Sequence, residues 1–131
     1  MFRTAKTTRD QGDIGLTFAI FKLTQLGYPV SLPITDNNIY DLIVDIDGKF
    51  KSVQVKTSAC LTEAGNYEVQ IRRVRSNKTE NKIHHFDNTE VDLLFIMVEN
   101  GDSYIIPSEE VSVKSSLTLY KKYDKYKLME G

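Results

Sequence analysis

Between residues 40 and 57, apolar and polar positions alternate through two runs joined by Asp47-Gly48. Tyr40-Asp41-Leu42-Ile43-Val44-Asp45-Ile46 reads as one strand. Lys49-Phe50-Lys51-Ser52-Val53-Gln54-Val55-Lys56-Thr57 reads as the next. Asp-Gly is the strongest short hairpin signal, because both central residues of a type I′ turn need positive φ. A two-residue loop also fixes the register: Ile46 faces Lys49 and, step by step, Asp41 comes to face Gln54. Directly opposed residues have Cβ atoms about 5 Å apart. Side chains alternate between faces, so Lys56 shares the face of Gln54. Leu42, Val44, Val53 and Val55 form an apolar floor on the other face.

Residues 14–26 carry a helical period. Ile14, Phe18 and Phe21 form one stripe, and Leu16, Ile20 and Leu23 form a second beside it. The predicted helix starts between Thr8 and Asp13 and stops at Gly27. Residues 28–34 predict a short strand closed by Pro33, residues 67–72 another strand, and the polar stretch 75–90 an exposed loop. The continuous apolar run 91–98 predicts a central strand covered on both faces. Residues 99–102 form a turn, 103–107 a strand ending at proline, and 107–110 open a short helix. The tail after Leu119 is rich in Tyr and Lys without a clear period. No repeat or linker divides the chain. The pattern predicts a single α/β domain over residues 1–131, with a central mixed β-sheet flanked by helices.

A chain of 131 residues, 40% hydrophobic and 27% charged, fits one soluble domain with a sizeable core. A net charge of −1 excludes coating nucleic acid through bulk charge but leaves room for a local basic patch. Cys60 stands alone, which excludes an intramolecular disulfide and a multi-cysteine zinc site. Charges at Arg3, Lys6, Arg9 and Asp10 argue against a signal peptide, and no run approaches a membrane span. The expected location is cytoplasmic, with no membrane partner.

The predicted register brings a carboxylate, an amide oxygen and an ammonium to one patch, an arrangement for holding a hard cation beside a phosphate. Each residue also has a plainer reading. Asp41 fits a strand-end acid, Gln54 its cross-strand polar partner, and Lys56 an exposed ion-pair partner. Asp13 fits a helix N-cap or first-turn acid, and Asp36 a turn residue. Arg72, Arg73, Arg75, Lys78 and Lys82 form the best candidate for contacts to a nucleic-acid backbone, or else an ordinary solvated loop diluted by Glu80. Thr57 and Ser58 carry hydroxyls that can donate to phosphate. His84-His85 is an adjacent pair without a third metal ligand. Tyr120, Tyr123 and Tyr126 suit packing. No Gly-rich phosphate loop is present, which argues against a small phosphate-metabolite hydrolase.

The ordered set Gly12-Asp13-Ile14-Gly15, Tyr40-Asp41-Leu42-Ile43-Val44-Asp45 and Val53-Gln54-Val55-Lys56-Thr57 resembles the PD-(D/E)XK nuclease superfamily. Its group I intron-associated homing endonucleases and their relatives are the branch it is most similar to. Val91-Asp92-Leu93, Tyr104-Ile105-Ile106-Pro107 and the tail segments 116–119 and 122–126 extend the resemblance over nearly the whole chain. The resemblance implies a restriction-endonuclease-like core and Mg²⁺-dependent cleavage of DNA phosphodiesters leaving 5′-phosphates, with Mn²⁺ as a substitute. It implies that Asp41 is the motif acid, Gln54 occupies the Asp/Glu position and Lys56 is the motif lysine. Asp13 stands where many members carry a helix acid. Asp41, Gln54 and the Val55 carbonyl would hold the metal. The chain departs from the pattern at Gln54, where an acid is commoner, and at Tyr40, where proline is usual. The implied partner is DNA, met as a homodimer or homotetramer when two strands are cut. A homing-type enzyme and a Holliday-junction resolvase both fit, and a non-catalytic DNA-binding or assembly protein with a decayed site is the alternative.

Overall fold

The computed structural model describes residues 1–35, 38–76 and 81–129. Asp36, Lys78 and Glu80 lie outside them. In chain order the elements are helix α1 (Thr8–Gln25) and strands β1 (Val30–Ser31), β2 (Leu42–Ile46), β3 (Lys49–Ser58), β4 (Glu68–Gln70), β5 (Arg73–Ser76), β6 (Asn81–His84), β7 (Leu93–Val98), β8 (Ser103–Pro107) and β9 (Ser116–Thr118). Two 3₁₀ turns, Ser108–Glu110 and Lys121–Tyr126, complete the set.

The main sheet has the order β1-β2-β3-β7-β8. β3 and β7 are parallel, and the other neighbours are antiparallel. The Asp-Gly turn forms as its sequence predicts. Asp47 has φ 53° and Gly48 φ 85°, and Gly48 N donates to Asp45 Oδ1 at 2.8 Å. Ile46 pairs with Lys49 and Leu42 with Val53, the register the two-residue loop dictates. β2 begins at Leu42, so Asp41 sits one step beyond the ladder.

The sheet separates two apolar layers. Between α1 and the sheet, Ala19 and Leu23 of the helix pack with Leu42, Val44, Val53, Phe95 and Met97. On the far face lie Val69, Ile71, Leu94, Ile96, Val98, Ile106 and Leu117. β7 supplies alternate residues to both layers, which is why residues 91–98 read as one unbroken apolar run. Burying each such side chain stabilises by about 1.5–3 kcal/mol. Among the described residues α1 is the single α-helix. The far face is covered by the β4–β9 ribbon and by the 3₁₀ turn carrying the buried Tyr123.

Helix α1 starts at the early end of the predicted range. Thr7 is its N-cap and accepts from Asp10 N at 3.1 Å. Asp13 is therefore neither cap nor first-turn acid. The helix approaches β3 closely at Gly15, where an added Cβ would collide with Thr57 Cγ2. Gln11 Nε2 donates to Thr57 Oγ1 at 2.9 Å across the same contact.

The predicted loop 75–90 departs from expectation. β5 and β6 pair as an antiparallel hairpin, Arg73 with His84 and Val74 with Ile83. Both strands are mostly polar and Ile83 is exposed, so no apolar alternation marked them. Among the described residues no helix is long and apolar enough to cross a membrane.

Candidate active site

Strand β3 carries the central pieces. Its parallel register sets Gln54 beside Leu94 and Lys56 beside Ile96, on the face away from α1. Val55 and Thr57 pair with Phe95 and Met97 on the helix side. Asp41, just before β2, is fixed by two bonds to β3. Its N–H donates to Val53 O at 2.8 Å, and its Oδ2 accepts from Val55 N at 2.7 Å.

The Val55 N–H thus points along the sheet toward Asp41. A strand residue directs its N–H and C=O to the same edge, so the Val55 carbonyl faces that way too. Leu42 is the last β2 residue on that side, leaving no β2 residue to pair with β3 beyond Val53.

Gln54 is 5% exposed. Its Nε2 donates to Ile39 O at 3.1 Å. A carbonyl oxygen only accepts, so the amide nitrogen must face Ile39, and Oε1 is turned the other way. Among the described residues Oε1 is buried with no hydrogen-bond partner. An orphaned buried acceptor costs about 1–3 kcal/mol. Gln54 helps to line a narrow cavity of about 10 Å³, whose walls include Ile71, Arg73, His84, Asp87 and Glu90, which is room for one water-sized guest.

The electrostatics follow from burial. Desolvation pushes the Asp41 carboxyl above its ordinary pKa, and the Val55 N–H, Lys56 and Arg73 offset this only in part. Desolvation pushes the Lys56 ammonium below its ordinary value. Asp41 pulls it back up and Arg73 drives it further down. One carboxylate therefore sits in the field of two cations.

The predicted residues divide accordingly. Asp41, Gln54, Val55 and Lys56 come together. Asp13 is exposed on α1, and the charges acting on Asp41 are those of Lys56 and Arg73. Thr57 faces the helix, with its hydroxyl accepting from Gln11. Ser58 is buried, donates to Glu68 O at 2.5 Å and accepts from Cys60 N at 3.1 Å. The Ser58 hydroxyl donates inside the fold and is withheld from a phosphate, whereas the Thr57 hydroxyl is turned to α1, away from the face of Gln54 and Lys56. Arg72 is half-buried and Lys82 exposed, Arg75 pairs in register with Lys82, and Lys78 lies outside the described residues. Arg73 is the residue whose place sequence reasoning missed. It belongs to the site itself, brought there by the hairpin, and no local pattern announced a contact across that span of chain.

Among the described residues no group of three or more His, Cys, Asp or Glu converges. A divalent ion would depend on Asp41, the unpartnered Gln54 Oε1 and the Val55 carbonyl. All three are hard oxygen donors, the class Mg²⁺ takes, with water or phosphate completing the shell. The residues present fit such an ion.

Three comparisons place the chain among known proteins. Residues 6–127 match the family model described as PD-(D/E)XK endonuclease. Protein 5.3 of Escherichia phage T7 is 32% identical over 108 residues, covering 82% of this chain and 86% of that protein. The structure of a bacterial homing endonuclease superposes with a TM-score of 0.79 at 28% identity, covering 92% of this chain and 88% of that one. The chain belongs to the PD-(D/E)XK endonuclease family.

Proposed function

We propose that the protein is a Mg²⁺-dependent endodeoxyribonuclease, with Mn²⁺ as a substitute. The observation that carries this reading is the buried Gln54 Oε1, unpartnered among the described residues, on the strand position opposite a carboxylate tied to Val55. Among the described residues no donor meets that oxygen, which leaves it open to a cation.

Asp41, Gln54 and the Val55 carbonyl would hold the ion, which supplies acidity to a water and neutralises charge on the phosphate. Lys56 has a different task. Its ammonium, half withdrawn from solvent, hydrogen-bonds and orients the attacking water and stabilises the negative charge that grows on the phosphate oxygens. Such preorganised donors act most strongly where water is scarce. Gln54 contributes an oxygen without a charge, so the site holds its ion weakly until substrate phosphate adds the missing one. Asp13 has no part in this reading.

The likeness to a homing endonuclease favours a duplex target over a branched one. A domain with one such site cuts two strands as a homodimer or homotetramer. Cleavage of plasmid DNA during a Mg²⁺ and Mn²⁺ titration tests the proposal. Wild type should cut, and Lys56→Ala at saturating Mg²⁺ should lose about 10²–10³-fold in rate while still binding DNA. Binding without cutting under either ion would leave the protein as a non-catalytic DNA-binding member of the family. Undiminished cleavage by Lys56→Ala would remove Lys56 from the mechanism.

A further inference from the structure

We infer that Arg73 receives the scissile phosphate and thereby makes divalent-metal binding at Asp41 and Gln54 conditional on bound DNA. The inference rests on the nuclease reading of the site and assigns the order in which the site is filled.

Arg73 opens strand β5 and is half-buried. It shares with Gln54 the walls of the narrow cavity, whose other sides include the apolar Ile39, Ile71, Phe86 and Val91. Two acids share that wall, and both are engaged: Asp87 Oδ1 accepts from Thr89 N and from Thr89 Oγ1, and Glu90 Oε1 lies 2.8 Å from Nε2 of His84, the register partner of Arg73. Among the described residues Arg73 forms no ion pair. A half-buried guanidinium that acts on both Asp41 and Lys56 has the planar fork of donors that matches a phosphate diester.

The charge balance then sets the sequence of events. Free of DNA, a divalent ion is attracted by one carboxylate and repelled by Lys56 and Arg73. A phosphate seated on Arg73 cancels one positive charge and offers a further oxygen ligand. Metal and DNA must then tighten each other's binding by the same factor, since coupling between two ligands is reciprocal.

Two measurements on the whole chain test this. Mn²⁺ binding is followed by the electron paramagnetic resonance signal of the free ion, with and without a long mixed-sequence duplex. Duplex binding is followed by fluorescence anisotropy, in EDTA and in Mn²⁺. Wild type should bind Mn²⁺ at least about tenfold more tightly when the duplex is present. Arg73→Ala should bind Mn²⁺ roughly tenfold more tightly than wild type without DNA, because a nearby positive charge is gone. It should also bind the duplex more weakly in EDTA and lose most of the coupling. Arg73→Lys, which keeps the charge but not the fork, should retain weak DNA-free Mn²⁺ binding and lose part of the duplex affinity. It also serves as the variant that keeps a cation at the position should alanine impair folding. Unchanged DNA-free Mn²⁺ affinity or unchanged coupling in Arg73→Ala, or, where alanine impairs folding, unchanged duplex affinity in Arg73→Lys, would overturn the inference. Wild-type cleavage alongside that result would leave the nuclease reading standing. Coupled binding without any cleavage would do the reverse.

Discussion

Replacing Gln54 with Glu restores the charge that the metal site lacks, and the structure fixes what this costs. The side chain is 5% exposed and sits across from Asp41. Two carboxylates on these opposed positions repel by about 3 kcal/mol where they approach to about 5 Å at an effective dielectric near 20, and Lys56 and Arg73, whose charges act on Asp41, offset part of this. The Nε2 donor to Ile39 O is also lost, which sets an acceptor against an acceptor and adds about 1 kcal/mol. At roughly 4 °C per kcal/mol for a domain of this size, Gln54→Glu in EDTA at pH 8 should melt several degrees below wild type. The introduced carboxyl has a folded-state pKa above its unfolded one, so the penalty shrinks as pH falls through that raised value. Mn²⁺ should reverse the deficit, because the ion binds the folded state more tightly than in wild type and each tenfold in affinity is worth about 1.4 kcal/mol once saturating. Differential scanning fluorimetry across a Mn²⁺ series reads both effects. A variant as stable as wild type in EDTA, or one that Mn²⁺ stabilises no more than wild type, would show that Gln54 and Asp41 do not share a cation.

Further outcomes follow from the same geometry. Gly15→Ala should destabilise by about 1–3 kcal/mol in urea unfolding, since overpacking against Thr57 outweighs the helix-propensity gain of up to about 1 kcal/mol; wild-type stability would mean that α1 shifts at little cost. Burial holds the Asp41 pKa above its unfolded value, so the metal-free protein should lose stability as pH rises from the usual carboxylate range through the raised value. Cleavage should move in the opposite sense and fall as pH drops through it; a rate flat across this window would detach Asp41 ionisation from activity. Asp41→Asn keeps an oxygen for Val55 N but not the charge. It should remove the stability limb and abolish Mn²⁺ binding measured by calorimetry, and full-strength binding would sink the metal role of Asp41.

What was legible in the sequence was local. The Asp47-Gly48 turn set the register of β2 on β3, and with it the meeting of Asp41, Gln54 and Lys56, because a two-residue loop leaves one pairing. The unbroken apolar run 91–98 announced the central strand. Features set by distant packing were not legible. Thr57 and Ser58 read as available hydroxyls because nothing in their neighbourhood shows that α1 and β4 will claim them. Asp13 reads as a site acid through the resemblance alone, and as a helix N-cap only while the start of α1 is set later than Thr7. Arg73 read as one of five loop cations, since its approach to Asp41 depends on the fold of a hairpin with hardly any apolar signal. Gln54 shows the opposite case: the departure from a common acid was plain in the sequence, but its orphaned oxygen emerged only with the Ile39 contact.

β3 outruns its neighbour β2, and that overhang leaves Val55 presenting main-chain atoms to the proposed cation seat. An oxygen belonging to the peptide backbone is indifferent to which amino acid the codon specifies. Side-chain ligands can be lost in a single mutational step, whereas this one survives any change at the position that keeps the strand extended. Such a seat has a built-in reserve against drift, which offers a physical route by which the family's customary second acid can give way to glutamine without emptying the coordination shell.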